Sequence, residues 1–231
     1  MTNSFVRNTV AGLVLLAGAA PATAQTLVVD EGTFVLRIGS QEIGREAFSI
    51  RQNGSGAGAV VIAQGRVDLN EDAGVVTSLE VSGPALRPAA YQVQVQGEEP
   101  QRIAGRVTGG RFSARIVSPA GEMMREYLAG DGAVIIDDGV AHQHYFLARR
   151  LADAPFRIPV IIPRQSRQVS ASVSAASGET IRVAGESVQA RRFTVEMPSG
   201  TRTVWVDDDG RVLRLEIPSS GLVAERVELP R

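Results

Sequence analysis

The chain has 231 residues and no cysteine, and its 24 basic residues, all of them arginine, nearly balance 25 acidic residues for a net charge of −1. Without cysteine there is no disulfide framework, no thiol nucleophile and no thiolate metal site. The balanced charge, with arginines spread along the chain and only 5% aromatic residues, argues against a nucleic-acid partner. The length is sufficient for one large β domain that is stabilised by its core.

The N-terminal residues have the pattern of a secretory signal peptide. A basic residue precedes an uncharged apolar run, 10–20, which is too short to span a bilayer as a helix. Small residues at Ala22 and Ala24 fit the cleavage rule. We expect a signal peptide over residues 1–24, cleavage between Ala24 and Gln25, and a mature protein that is soluble in the periplasm or outside the cell. No later stretch is apolar for long enough to predict a transmembrane span.

Apolar and polar residues alternate along most of the chain after this segment. Phe34, Leu36 and Ile38 mark one such stretch, and the same period of two recurs over 91–96, 192–197 and 212–217. This period is typical of antiparallel strands with one buried face, because parallel strands covered on both faces give continuous apolar runs. Glycine turns recur at roughly the 8 to 12 residue spacing of all-β folds.

These patterns predict a mostly β fold for residues 25–231, as a single domain. We expect a curved antiparallel sheet, or an incomplete or closed β-barrel, of about a dozen strands joined by hairpins. The side chains expected to face its core include Phe34, Leu36, Phe48, Phe193, Leu213 and Leu215.

Two pairs of segments resemble each other within the chain. The segment "LRIGSQEIGREAFSI", 36–50, aligns with "IRVAGESVQARRFTV", 181–195, and "GVVTSLEV", 74–81, aligns with "GRVLRLEI", 210–217. The alignment predicts a weak internal repeat over residues 34–81 and 179–217. The alternative is convergence, because alternating apolar residues around a glycine turn produce such matches on their own.

The period changes in the middle of the chain. Val140, His144, Leu147 and Leu151 follow helical spacing. An aspartate pair at 137–138 can cap the start of a helix, an arginine pair suits its C-terminal end, and a proline follows. These features predict one central α-helix, at about 138–152, packed on the sheet.

Both histidines of the chain, His142 and His144, lie in this predicted helix. Residues two apart on a helix point about 200° apart and do not chelate one metal ion together, and no third histidine completes a zinc site. We therefore expect no metal site and no cofactor, with His144 partly buried and His142 in solvent. The sequence contains no Gly-x-Ser-x-Gly motif, phosphate loop or dinucleotide fingerprint, and no catalytic residue is assigned.

The late segment "VWVDDDGRVLRLEIPSSGLVAERVEL" combines an aromatic-containing strand, an Asp-x-x-Gly-Arg turn and an alternating strand. Together with "GTFVLRIGSQEIGREAFSI" and "YFLARRL", it resembles exported bacterial β-rich domain families of unknown function. The residues that carry the match are Trp205, Asp207, Gly210, Arg211 and Leu215. The resemblance implies a long curved sheet or incomplete barrel with a helix on its concave side. Half-barrel proteins of the bacterial envelope hold acyl chains in such a concavity, which is an analogy of fold alone.

The leading functional hypothesis is a non-catalytic periplasmic or secreted protein that binds an apolar, lipid-like ligand or an envelope protein in the sheet concavity. The candidate ligand-binding residues are His144, Tyr145, Arg149, Arg150 and Trp205, and the segment around Tyr145 to Arg150 would be a cover or gate. Two alternatives stay open. One is a structural or assembly protein with a closed core and no ligand, and the other is a hydrolase that uses His142 or His144.

Overall fold

The computed structural model describes residues 26–69, 73–130, 132–152 and 154–231. The predicted signal peptide, 1–24, lies outside the described residues. The described part of the chain forms fifteen strands in one sheet. In chain order they are β1 (Thr26–Ile38), β2 (Gln41–Asn53), β3 (Val60–Leu69), β4 (Gly74–Ser82), β5 (Arg87–Gln96), β6 (Gln101–Thr108), β7 (Arg111–Ser118), β8 (Gly121–Leu128), β9 (Val134–Ile135), β10 (Phe156–Ile162), β11 (Arg167–Val183), β12 (Glu186–Met197), β13 (Gly200–Val206), β14 (Val212–Ile217) and β15 (Leu222–Arg226).

The sheet is built from two meanders that meet in its middle. Its strand order is β8-β7-β6-β5-β4-β3-β2-β1-β15-β14-β13-β12-β11-β10-β9. All neighbouring pairs are antiparallel except β9 and β10, which are parallel. Strands β8 and β9 are its two edges, so the sheet does not close. This architecture confirms the prediction of a mostly β fold with a curved antiparallel sheet.

The side chain of Gln168 links the two meanders near these edges. Its amide nitrogen donates to the backbone carbonyl of Leu128 at 2.6 Å, and its amide oxygen accepts the backbone N–H of Leu128 at 3.0 Å. A glutamine of β11 thus makes the two contacts that a neighbouring strand would make with the end of β8. The link brings opposite halves of the sheet together around a shared interior.

The alternation seen in the sequence produces this interior. Along β2, the side chains of Phe48 and Ile50 are buried, whereas Ala47 and Arg51 are exposed. The inward-facing side chains of the strands pack together in one large apolar core. Five of the six residues predicted to face it do so, namely Phe34, Leu36, Phe48, Phe193 and Leu215.

The prediction that Leu213 faces the same core was wrong. The register of β13 and β14 shifts, so that Val206 lies opposite Val212 while Trp205 lies opposite Arg214. Leu213 is the extra residue of this bulge, and a bulge changes the face to which a side chain points. Leu213 therefore packs with Trp205 in a second, smaller cluster.

The chain between β9 and β10 leaves the sheet and crosses its concave side. We call residues 137–150 the plug. It contains a 3₁₀ turn, His142–His144, followed directly by α1, Tyr145–Ala148. The predicted central helix is thus confirmed, but it is shorter than 138–152. No side chain caps it, because the predicted caps Asp137 and Asp138 form hydrogen bonds with other parts of the fold.

The plug is buried on all sides rather than on one face. Residues 140–148 are all buried, and they belong to the main core or to the polar contacts within it. The expectation that His142 lies in solvent was therefore wrong, since this residue is 1% exposed. Helical spacing separates a buried face from a wet face only when a helix lies at the surface.

The segments that align in sequence form equivalent parts of the sheet. Residues 36–50 contain the β1–β2 turn, where Ile38 lies opposite Gln41, and residues 181–195 contain the β11–β12 turn, where Val183 lies opposite Glu186. The second aligned pair lies in β4 and β14, each two strands further along its meander. A repeat of common origin stays a prediction.

Candidate functional site

Four of the five predicted ligand-binding residues lie together in the plug. His144 and Tyr145 are buried within it, and Arg149 and Arg150 follow at its C-terminal end. His144 contacts β13 through Arg202, whereas Arg149 and Arg150 donate to backbone carbonyls of loops. Tyr145 packs edge-on against Phe146, with 5.5 Å between the ring centroids.

Trp205 lies apart from the other four residues. Its neighbours along β13, Val204 and Val206, point into the main core, so the indole is on the opposite face of the sheet. There its ring N–H donates to Glu179 at 2.5 Å, and the guanidinium of Arg214 lies 5.5 Å from the ring centroid. A ligand bound at the plug would not contact Trp205.

Glu46 on β2 holds the start of the plug. Its side chain is fully buried, and its carboxylate accepts the backbone N–H of Ala141 at 2.7 Å and that of His142 at 3.0 Å. The same carboxylate lies 2.6 Å from Nδ1 of the His142 imidazole. Because a carboxylate oxygen accepts in this contact, Nδ1 is a ring nitrogen that carries a proton and donates it.

The imidazole of His142 is packed between an aromatic ring and a strand backbone. It stacks on Phe48 with 5.5 Å between ring centroids and an interplanar angle of 5°. The ring also lies against Gly65, the residue of β3 opposite Phe48, where a Cβ atom would lie only 2.3 Å from Cε1 of His142. Glycine is therefore required at position 65 for the ring to occupy this place. Nε2 of His142 and the hydroxyl of nearby Thr77 are both buried without a hydrogen-bond partner.

A second buried contact joins the plug to β5. The hydroxyl of Tyr91 donates to the carboxylate of Asp137 at 2.6 Å and accepts from the amide of Gln143 at 3.3 Å. Asp137 also accepts the backbone N–H of Arg164 at 3.1 Å. Burial raises the pKa of Asp137 and raises the pKa of Tyr91 well above its usual value. These groups fix the plug at the residue where it leaves β9.

A third contact joins the plug to β13. Nδ1 of His144 donates to the carbonyl of Ala141 at 3.1 Å, which leaves Nε2 as the acceptor for Arg202, 3.3 Å away. Arg202 also pairs with Asp138. Burial, together with the positive charge of Arg202, lowers the pKa of His144 to about 3. The ring is therefore neutral at ordinary pH, as its contact with a guanidinium requires.

Arg150 closes the C-terminal end of the plug. Its guanidinium donates to four backbone carbonyls in two loops, those of Gly132, Ala133, Ala85 and Leu86, at 2.5 to 3.3 Å. Arg149 makes a single contact of this kind, to the carbonyl of Asp209 at 3.1 Å. The contacts of Arg150 therefore give it a structural role that its neighbour does not share.

The interior site is closed. A histidine whose Nδ1 is held by a carboxylate has the arrangement of a general base, but both side chains of the Glu46–His142 pair are 0% exposed. The largest cavity described is a groove of about 880 Å³ on the outer face of β2–β7. A cleft of about 670 Å³ lies at the rim, beside Asp138, Arg164 and the Glu98-Glu99 turn.

Sequence reasoning did not identify Glu46, Tyr91 or Arg202 as partners of the plug. Glu46 and Arg202 each lie in the inward-facing row of their strand. A charged residue in a row that faces the core was the signal available in the sequence. To recognise such a residue, one must know the register of the strand, and β-bulges change that register. Asp137 was predicted as a helix cap, not as a partner of Tyr91.

No group of three or more His, Cys, Asp or Glu suited to a metal ion occurs among residues 26–69, 73–130, 132–152 and 154–231. Within the same described ranges, none of the helices has the length and apolar character needed to cross a membrane.

Comparison with known proteins finds similarity to two domains of unknown function. Residues 129–226, which include the plug and β10–β15, match the model of a domain of unknown function, DUF6134. The structure is similar to the crystal structure of a β-barrel-like protein of the domain of unknown function DUF1849 from Brucella abortus. The TM-score is 0.56 at 12% identity, and the similarity covers 89% of this chain and 98% of that chain. No curated protein matches the chain.

These matches confirm the predicted resemblance to β-rich domain families of unknown function. At 12% identity the structural similarity shows the fold alone. It assigns no ligand, partner or reaction to the residues of the plug.

Proposed function

We propose that the mature protein is a non-catalytic component of the bacterial envelope, periplasmic or secreted, which has a closed core and acts through its outer surface on an envelope partner. The observation that carries this proposal is the plug itself. It occupies the concavity of the sheet, where an apolar ligand would have to lie, and residues 140–148 are all buried there.

Emptying the concavity for a lipid would be costly. Phe146 and Leu147 are 1% and 0% exposed, and each large apolar side chain contributes about 1.5 to 3 kcal/mol when buried. Displacement would also break the hydrogen bonds of Glu46 to the plug backbone, leaving buried donors without partners. A closed core that serves as a rigid scaffold is therefore favoured over the lipid-binding alternative.

Native mass spectrometry after incubation with an envelope lipid extract tests the closed core. The mature wild-type protein is expected to keep its unliganded mass. A Glu46→Ala variant, whose plug has lost its carboxylate anchor, is the positive control for lipid uptake by an opened concavity. One lipid bound per wild-type molecule would overturn the closed core.

The envelope location is tested by intact-mass measurement on protein recovered from a bacterial periplasmic or secreted fraction. We expect a mature chain that begins at Gln25. Full-length protein that begins at Met1 and stays in the cytoplasm would contradict the location.

A histidine-dependent hydrolase is the second candidate, favoured by the Glu46–His142 pair and by two buried polar atoms without partners, Nε2 of His142 and the hydroxyl of Thr77. Its test is a broad ester and amide hydrolase screen of wild type, His142→Ala and His144→Ala. An activity that His142→Ala abolishes and His144→Ala retains would support the hydrolase and overturn the non-catalytic proposal.

A further inference from the structure

The outer groove lies on the face of the sheet that points away from the plug. We use this name for the outward residues of β2–β7 that line the cavity of about 880 Å³. The strand register arranges them in two rows that cross the strands. One row is Ala47, Arg66, Val76, Gln94, Arg102 and Val117, and the other is Ser49, Gln64, Ser78, Gln92, Ala104 and Arg115.

The second row offers an almost continuous series of hydrogen-bonding side chains. From β2 to β5 it presents hydroxyl, amide, hydroxyl and amide in turn, from Ser49, Gln64, Ser78 and Gln92. Neighbouring strands lie about 4.8 Å apart, so six strands span about 24 Å. The step of about 4.8 Å from one strand to the next is close to the length of one sugar ring in an extended polysaccharide.

The charge of the outer groove differs from that of the whole chain. Three arginines, Arg66, Arg102 and Arg115, are among the described residues that line it, and no carboxylate is. Asp68 and Glu122 pair with two of these arginines from outside the lining. Arg102 has no carboxylate partner among the described residues, so three arginines and two carboxylates leave one positive charge in excess. This charge favours an occupant that carries negative charge.

The floor of the groove offers no strand edge to a peptide. Its backbone groups already pair between strands β2 to β7, so a peptide has no free strand edge to extend at this surface. Eight of the twelve side chains in the two rows are polar, and Val76 is the most exposed large apolar one at 40%. The amide, hydroxyl and guanidinium groups of the two rows suit the hydroxyls and carboxylates of an acidic sugar.

We propose that the outer groove binds an extended glycan chain that carries carboxylate groups, lying across β2–β7. The proposal rests on the proposed function, because it names the partner on which the outer surface acts. Ser49, Gln64, Ser78 and Gln92 contact the sugar hydroxyls, and Arg66 and Arg102 contact the carboxylates.

Isothermal titration calorimetry with an oligomer of galacturonic acid tests the proposal, with a neutral galactose oligomer of equal length as the matched ligand. Wild type is expected to bind the acidic oligomer at least tenfold more tightly, and more weakly as salt is raised. The double variant Arg66→Gln, Arg102→Gln should lose at least tenfold in affinity, and Gln92→Ala should lose several-fold. Arg157→Gln, which changes an exposed arginine of β10 outside the groove, should bind as wild type does.

Three results would overturn the proposal: no binding of the acidic oligomer, equal affinity for the neutral one, or undiminished binding by the double variant with an unchanged melting temperature. If these residues bind a protein and no glycan, the proposal is also overturned. Native mass spectrometry with lipid extract tests the closed core separately from glycan binding, because it reports on the concavity and does not involve the outer groove.

Discussion

Glu46 and His142 lie 96 residues apart in sequence, yet Nδ1 of the imidazole is 2.6 Å from the carboxylate. Neither side chain is exposed to solvent. The contact joins an inward residue of β2 to the start of the plug. Two backbone N–H groups of the plug donate to the same carboxylate. One buried glutamate therefore satisfies three donors that would otherwise be enclosed without partners.

Replacing Glu46 by alanine should lower the free energy of unfolding by about 3 to 5 kcal/mol, because it leaves these donors buried and unsatisfied. Urea denaturation followed by circular dichroism measures the change. Glu42→Ala, at an exposed residue of the same strand that pairs with Arg45, is the matched control and should change stability by about 1 kcal/mol or less. Equal effects of the two substitutions would show that Glu46 does not anchor the plug.

Adding a methyl group at Gly65 should displace the His142 ring. The new Cβ would lie 2.3 Å from Cε1, so we expect Gly65→Ala to cost about 3 kcal/mol in thermal or urea denaturation. Gly178→Ala on β11 is the control, since its Cβ would meet its nearest atom at an ordinary 3.6 Å. If Gly65→Ala is as stable as Gly178→Ala, the ring does not lie against β3.

His144 should make stability depend on pH. Its folded pKa of about 3 lies below the usual 6.5, so the unfolded chain binds the proton first as pH falls. The contribution of the neutral ring is complete above pH 6.5 and is lost as pH falls toward 3. Wild type should therefore lose about 2 kcal/mol more than His144→Gln between pH 7 and pH 4.5.

Comparing the two proteins isolates His144 from Asp137, whose raised pKa acts in the opposite direction. The measurement is the free energy of unfolding in urea at each pH. Parallel pH profiles for wild type and His144→Gln would contradict a buried neutral histidine beside Arg202.

Arg149 and Arg150 should differ sharply although they are adjacent. Arg150→Ala removes contacts to four carbonyls in two loops and should destabilise the fold by about 2 to 3 kcal/mol. Arg149→Ala removes one exposed contact and should cost about 1 kcal/mol or less. Differential scanning calorimetry compares them, and a larger loss for Arg149→Ala would reverse the assigned roles.

The fold could be predicted from the sequence because its main signal is local. Alternation along each strand identifies the buried face without knowledge of the partner strand, as for Phe34 and Leu36 of β1. Leu213 shows the limit of this reasoning. A bulge adds one residue to β14 and turns the side chain of Leu213 to the other face. The alternation of residue types in the sequence does not reveal the bulge.

The polar site could not be predicted because its partners come from distant strands. Whether Glu46, Tyr91 and Arg202 contact the plug depends on the curvature of the sheet and on the register of several strands. The helical spacing around His142 pointed to a solvent face, yet the plug is enclosed by the sheet. Periodicity carries no information about exposure for a segment that is buried all round.

Hydrogen–deuterium exchange at the amides of Ala141 and His142 tests the central claim, that the plug is a permanent part of the core. Both amides donate to the buried carboxylate of Glu46. They should exchange only through global unfolding, with a protection free energy equal to that of the most protected strand amides. Exchange of both within seconds, while β2 and β5 stay protected, would show that the plug opens and that the concavity is accessible.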